Sequence, residues 1–343
     1  MKKTLIALAA LAATGVSFAQ VTLYGTVDAT LAVGNGNVAN KTQLTNSGLS
    51  SSELGFKAVE DLGGGMKAGF IMAAGLNNDN GTGSSLSTNN QASGNTTGNG
   101  LIFNRRSYLQ LMGNFGEIRL GRDYTPAFWQ EAVYDTFGIN GVGTSRAFLG
   151  GAAYTGSVAV RASNTIAYLT PAMGGFSLWA QTYMGENASN AVDTGTGNSV
   201  RLSYDAGPLS VGLGWGQTKQ AQNVDAAVSN LGLSYNFGAA AINGYVQKST
   251  MTGVNDINGY LVGVTVPFGS AAVRASYSNT DNSVASTNQF ALGFIYNLSK
   301  LTAFYGTFAT VENKGGASQA LNGATGAANQ GSTGYDFGLK KSF

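Results

Sequence analysis

Two carboxylates, Glu131 and Asp135, stand four residues apart in the segment PAFWQEAVYD. A helix there would carry both on one face. Three arginines, Arg106, Arg122 and Arg161, flank that segment along the chain. A close pair of acids can do general acid–base work, or acids and bases together can line a charged passage. The rest of the composition favours the second use. The chain has no histidine and no cysteine. Ser–His and Cys–His nucleophiles, His-bearing metal sites, disulfides, zinc ribbons and Fe–S clusters are therefore excluded. The sequence points to no cofactor and no metal. Gly212-x-Gly214-x-Gly216 is not a phosphate cradle, because no helix follows the strand that carries it.

The elements that hold these residues have an unusual make-up. Charged residues are 10% of the 343, against about 25% in ordinary soluble domains, and glycine accounts for 50. The first 19 residues read as a cleaved export signal. Met1, Lys2 and Lys3 supply the positive start, residues 4–16 the apolar run, and Ser17-Phe18-Ala19 the small-x-small cleavage pattern. The mature chain would begin at Gln20 and form one barrel domain, residues 20–343. Losing two lysines leaves 17 basic against 17 acidic residues, with no basic excess for nucleic acid. No apolar run after the signal is long enough for a helical membrane span.

From Val21 onward the dominant period is two. Leu209, Val211, Leu213 and Trp215 share one face of a segment whose other face is Ser and Gly. Phe290, Leu292, Phe294, Tyr296 and Leu298 repeat the pattern, as do Tyr335, Phe337, Leu339 and Phe343. The second face is Gly, Ser, Asn and Gln rather than Lys and Glu. Greasy outside and small and polar inside is the pattern of a barrel in lipid. Seven short turns alternate with eight long polar connections, which joins sixteen strands. The predicted strands are 21–34, 51–61, 65–76, 101–113, 117–124, 161–170, 175–185, 199–206, 209–217, 228–237, 240–249, 257–267, 270–280, 288–298, 300–311 and 334–343. The fold class is all-β, a 16-stranded antiparallel transmembrane β-barrel with an inward-folded third loop. An open sheet in lipid would leave edge amides unpaired, so the sheet must close, and sixteen strands leave an aqueous lumen.

Segments 77–100 and 312–333 read as solvated external loops. The connection 125–160 differs, because it carries Phe128, Trp129, Tyr134, Phe137, Phe148 and Tyr154. Those rings need cover, and the lumen offers it. Thr125-Pro126 starts a short helix over 126–135, with Glu131 and Asp135 expected to face the channel. The alternative is a helix over the outer mouth or a subunit contact. Alternation places Asp28, Glu53, Lys57, Arg106, Arg161, Arg201 and Arg274 inward, and Arg105 and Arg122 outward. Inward placement is also the less costly one for arginine, by about 2–4 kcal/mol at mid-depth.

Several motifs resemble one family. Leu54-Gly55-Phe56-Lys57 with Glu60-Asp61-Leu62-Gly63, Asn104-Arg105-Arg106-Ser107-Tyr108, Gly121-Arg122-Asp123-Tyr124-Thr125-Pro126, Gly174-Gly175-Phe176 and the terminal Phe343 are similar to those of general porins of the β-proteobacterial type. The resemblance implies a homotrimeric general-diffusion channel for ions and small hydrophilic solutes, set among the lipid and lipopolysaccharide of the bacterial outer membrane. It implies that Phe343 is read by the barrel-assembly machinery. It also implies an arginine wall facing an acidic loop, with Arg122 and Arg161 at two wall positions, which moves Arg122 inward. Glu53 stands where arginine is common, so a weak anion preference is expected. A substrate-specific channel of the same architecture is the alternative, and a barrel enzyme a remote one.

Overall fold

The computed structural model describes residues 20–96 and 100–343. Residues 1–19, expected from the sequence to be an export signal, lie outside the described residues. Among the described residues, eighteen strands form one antiparallel sheet. They are β1 Thr22–Asn35, β2 Lys41–Asn46, β3 Glu53–Gly63, β4 Met66–Asn77, β5 Thr82–Gly83, β6 Arg106–Gly113, β7 Gly116–Tyr124, β8 Arg161–Leu169 and β9 Phe176–Tyr183. The second half is β10 Gly197–Ala206, β11 Leu209–Ala221, β12 Val224–Asn236, β13 Ala241–Met251, β14 Ile257–Phe268, β15 Ala271–Asp281, β16 Ser286–Ser299, β17 Thr302–Lys314 and β18 Ser332–Ser342. β2 and β5 are short pieces within long loops, and the other sixteen make a closed barrel wall.

The wall closes where the chain ends meet. β1 pairs with β18 from Thr26↔Ser342 to Asn35↔Thr333. Gly25 and Phe343 exchange backbone hydrogen bonds of 3.1 and 3.0 Å beyond that register. On its other edge β1 pairs first with β3 and then with β2. Residues 47–52 leave the wall between those two strands. Asp28 holds that excursion by accepting from the backbone N–H groups of Leu49 and Ser50, at 2.8 and 2.7 Å. The expected strand 101–113 begins only at Arg106. Elsewhere the strands match the alternation to within a few residues.

The two faces of the wall are inverted relative to a soluble protein. On β16, Phe290, Leu292, Phe294 and Tyr296 are exposed outward, whereas Gln289 and Ala291 are buried inward. On β11, Leu213 and Trp215 point out and Gly212, Gly214 and Gly216 point in. The long connection Thr125–Val160 folds inward against this small-residue face. It contains helix α1 (Pro126–Tyr134) and helix α2 (Arg146–Thr155). Thr125 caps α1 by accepting from the Phe128 N–H, and Pro126 occupies the first turn, where a missing N–H costs nothing.

The inward glycines let the loop lie directly on the wall. A Cβ at Gly232 would stand 2.2 Å from the Tyr134 ring, and one at Gly212 would stand 2.3 Å from Gln130. Gly293 faces Phe137 and Gly334 faces Val142 in the same way. Polar bonds then fasten the loop. Ser199 accepts from Ala127 N–H, Asn243 donates to Tyr134 O, and Asp336 accepts from Val142 N–H at 2.7 Å. We expect Gly232→Val to push α1 into the lumen through overpacking of about 1–3 kcal/mol. Single-channel conductance should fall while the β-sheet circular dichroism of the barrel is unchanged. Unaltered conductance in the folded variant would contradict the close contact.

Candidate functional site: the arginine cluster beside the inward loop

The site is built around Tyr124, the last residue of β7. Its hydroxyl receives hydrogen bonds from Arg105 Nη2 at 2.7 Å and Arg161 Nη2 at 2.9 Å. Its ring lies 4.4 Å from the Arg161 guanidinium and 4.8 Å from that of Arg106. Two guanidiniums thus lie over one aromatic ring, whose negative face offsets part of their repulsion, and a third binds its hydroxyl. Phe128 and Trp129 of α1 pack against the same ring, at 5.5 and 5.3 Å between centroids. The loop and the arginine cluster are therefore one unit.

Neighbouring acids balance some of this charge. Glu53 Oε2 lies 2.6 Å from Arg105 Nε. Asp123 is shared between Arg106, at 3.7 Å, and Arg119, at 2.8 Å, and Arg119 also pairs with Glu117 at 2.7 Å. Arg161 has no carboxylate within ion-pair distance among the described residues. Arg201 also lacks one, and its Nε donates to Gln130 Oε1 at 2.8 Å. Arg106, Arg119 and Arg201 line a lumenal cavity of about 470 Å³ together with Trp129 and Trp179. Lys57 stands 5.4 Å from the Tyr24 ring. Five guanidiniums (105, 106, 119, 161 and 201) face three carboxylates (53, 117 and 123), so the cluster has a positive excess.

Three expectations from the sequence need correction. Arg122 is not in this cluster. It shares the outward alternation of Ile118 and Leu120, and its guanidinium donates to Asn104 O, Ser87 O and Ser163 Oγ. It pins the 77–105 connection to the wall, and a register shift between Gly121 and Asp123 marks the spot. Arg105 is the second correction. It precedes β6, so strand alternation does not govern it, and it turns in to Glu53 and Tyr124.

The third concerns the loop acids, which do not face the channel. Glu131 is buried and accepts from Asn230 Nδ2 of β12 at 2.9 Å. The Gln247 carboxamide stands 3.2 and 3.3 Å from the two Glu131 oxygens. By turning, that amide can accept from the protonated acid or donate to the ionised one. Asp135 is also buried and accepts from the N–H groups of Phe137, at 2.7 Å, and Ser145, at 3.2 Å. The acidic side of α1 is clasped to the wall, and the loop shows the lumen Trp129, Val133 and Leu149 instead. No transverse acid–base field forms. Arg274 donates to Thr136 O at 3.3 Å and stacks on Phe137, so it also fastens the loop.

The sequence reading missed Arg119, Asp123 and Tyr124. Their signal was present for the first two, since alternation with Ile118 and Leu120 turns Arg119 and Asp123 inward. Alternation gave no direction for Tyr124, which lies where the strand becomes a loop, although it stands within the family motif over 121–126.

A closed 16-stranded barrel with an inward loop and a charged lumen is a membrane channel. The chain belongs to the Gram-negative porin family, which it matches over residues 4–316. It is 37% identical over the full length of both chains to outer membrane porin protein 32 of Delftia acidovorans. An anion-selective porin from Comamonas acidovorans superposes with a TM-score of 0.83 at 35% identity, covering 95% of this chain and 100% of the other. OmpT of Vibrio cholerae, solved in a trimer form, shares the fold alone at 14% identity and a TM-score of 0.66, with 94% and 99% coverage. The protein is an outer-membrane porin.

The buried clasp has a pH signature. Burial pushes the Glu131 carboxyl up to about 8, and Asp135 nearby adds to the shift. Asp135 itself is raised to about 6, also by burial. Tyr245 of β13 is the other titratable group near Glu131, and no cation lies within ion-pair distance of Glu131 among the described residues. The folded carboxyl keeps its proton to about pH 8, the unfolded one only to its ordinary 4.5. Stability therefore falls as pH rises between those values and then levels off. Between Asp135's titration near 6 and pH 8 the slope belongs to Glu131. Glu131→Gln should flatten the pH dependence of the denaturation midpoint in that window. An equal slope in both proteins would refute a protonated clasp.

Proposed function

We propose that this porin is a general-diffusion channel with a weak preference for anions, selected at the Tyr124–arginine cluster. The observation that carries this reading is the uncompensated Arg161, held with Arg105 and Arg106 around Tyr124, against whose ring Phe128 and Trp129 of the loop pack. Screening acts over about 8 Å at physiological salt, so fixed charges in the narrow zone outweigh those at the rims. Glu53 tempers the preference because it neutralises Arg105. Likeness to an anion-selective porin supports the sign. Arg106 and Arg161 are the wall residues, Lys57 and Glu53 modify it, and Glu131 and Asp135 act by seating the loop. Solutes pass without chemical change.

The same reading includes cleavage of a signal ending at Ala19, recognition of Phe343 during assembly, and a homotrimer in lipid and lipopolysaccharide. The Phe343 ring is half exposed on the outer face beside Gly25, where an assembly factor can reach it before the barrel closes. The trimer form of OmpT supports the oligomeric state. Stepwise voltage closure in threes is expected in bilayer records, and a monomer mass in native detergent would exclude the trimer.

Selectivity is tested by reversal potential in a tenfold KCl gradient. Arg161→Ala should move it toward cation preference, and Glu53→Gln further toward anions, because Arg105 is then left uncompensated. If neither variant moves it, the cluster does not set selectivity.

A further inference from the structure

A further uncompensated cation, apart from Arg161 and Arg201, lies on the other side of the loop. Arg146 opens α2 and is buried. Its backbone N–H donates to Ser278 Oγ at 3.0 Å, and its Nε donates to Gln289 Oε1. Gln289 is fixed in turn by donating to the carbonyls of Val142 and Thr144, at 3.3 and 3.1 Å. These bonds leave the two terminal nitrogens of Arg146 without a protein acceptor among the described residues. No carboxylate among them lies within ion-pair distance of it. Burial lowers the guanidinium to about 10, and no neighbouring charge raises it again. A buried cation without a counter-charge is costly, so its surroundings should admit an anion.

The surroundings provide the room. Arg146 lines a cavity of about 310 Å³ at the long-loop end of the barrel. Thr280, Asn282 and Gln319 supply polar wall, and Leu149 and Ile257 supply apolar wall. Asn282 uses its Oδ1 to accept from Val284 and Ala285 N–H, which leaves its amide N–H groups uncommitted. The Gln319 side chain makes no hydrogen bond among the described residues. A guanidinium fork beside spare amide donors matches a planar carboxylate, and the apolar wall accommodates a short hydrocarbon part.

We propose that this cavity is a binding site for a small organic carboxylate, seated on the Arg146 guanidinium and separate from the Tyr124–arginine cluster. It rests on the channel reading only for the route by which the solute arrives. The site would hold an anionic solute at the outer mouth before it enters the narrow zone.

The test is calorimetric titration of the folded, detergent-solubilised protein with sodium succinate at constant ionic strength. Arg146→Met should abolish one class of binding and leave the reversal potential in a KCl gradient unchanged. Asn282→Asp keeps the turn-capping oxygen and adds an internal counter-charge. It should weaken the same class about tenfold or more with Arg146 in place. Arg161→Ala should leave it intact while shifting the reversal potential, so failure of the site and failure of the selectivity reading are read separately. Should Arg146→Met not fold, Asn282→Asp decides alone. Equal isotherms for wild type and Asn282→Asp would overturn the site. Loss of binding in Arg161→Ala, or tighter binding of inorganic phosphate than of succinate, would also overturn it.

Discussion

Every strand amide that crosses the hydrocarbon must find a partner, because an unpaired one costs several kcal/mol there. The pairing of β1 with β18, completed by the Gly25–Phe343 exchange, supplies the last of them. From that closure the rest follows. A closed wall has two faces, and only the outer one meets lipid, so the chain inverts the usual burial pattern. A ring of this many strands is too wide for its own side chains to fill, so its interior needs another device to narrow it.

That device is the Thr125–Val160 connection, and it is held by close approach as much as by polar bonds. Inward glycines on β11, β12, β14, β16 and β18 remove the Cβ atoms that would keep the loop away. Aromatic and small side chains of the loop fill those gaps. Buried polar groups such as Glu131, Asn230 and Gln247 then make the seating specific, since each would be unsatisfied in a shifted loop. The inner glycines thus serve packing against a second layer.

The charge pattern follows from the same seating. Clasping α1 by its acidic side takes Glu131 and Asp135 out of the lumen. What remains in the channel is a cluster of arginines and an apolar ridge, with Glu53, Glu117 and Asp123 as partial counter-charges. The charge that the lumen displays is thus set by which groups the loop hides as well as by which the wall carries.

The chain's alternation determined the barrel. Period two, short turns against long loops, and a second face of Gly, Ser and Asn can be met only by a closed sheet with lipid outside, and those are local properties of each strand. The same alternation turned Arg106, Arg201 and Arg274 inward, because side-chain direction in a strand is fixed by position. It could not determine Arg105 or Tyr124, which stand where a strand gives way to a loop, nor the direction of Glu131 and Asp135. A helix of nine residues presents its acids to wall or lumen according to how it rolls on its support. Arg122 shows the converse: alternation turned it outward, and family resemblance moved it inward against that sign. Tertiary structure decided these cases because a loop's orientation depends on contacts with strands far away in the chain, and those contacts exist only once the barrel has closed.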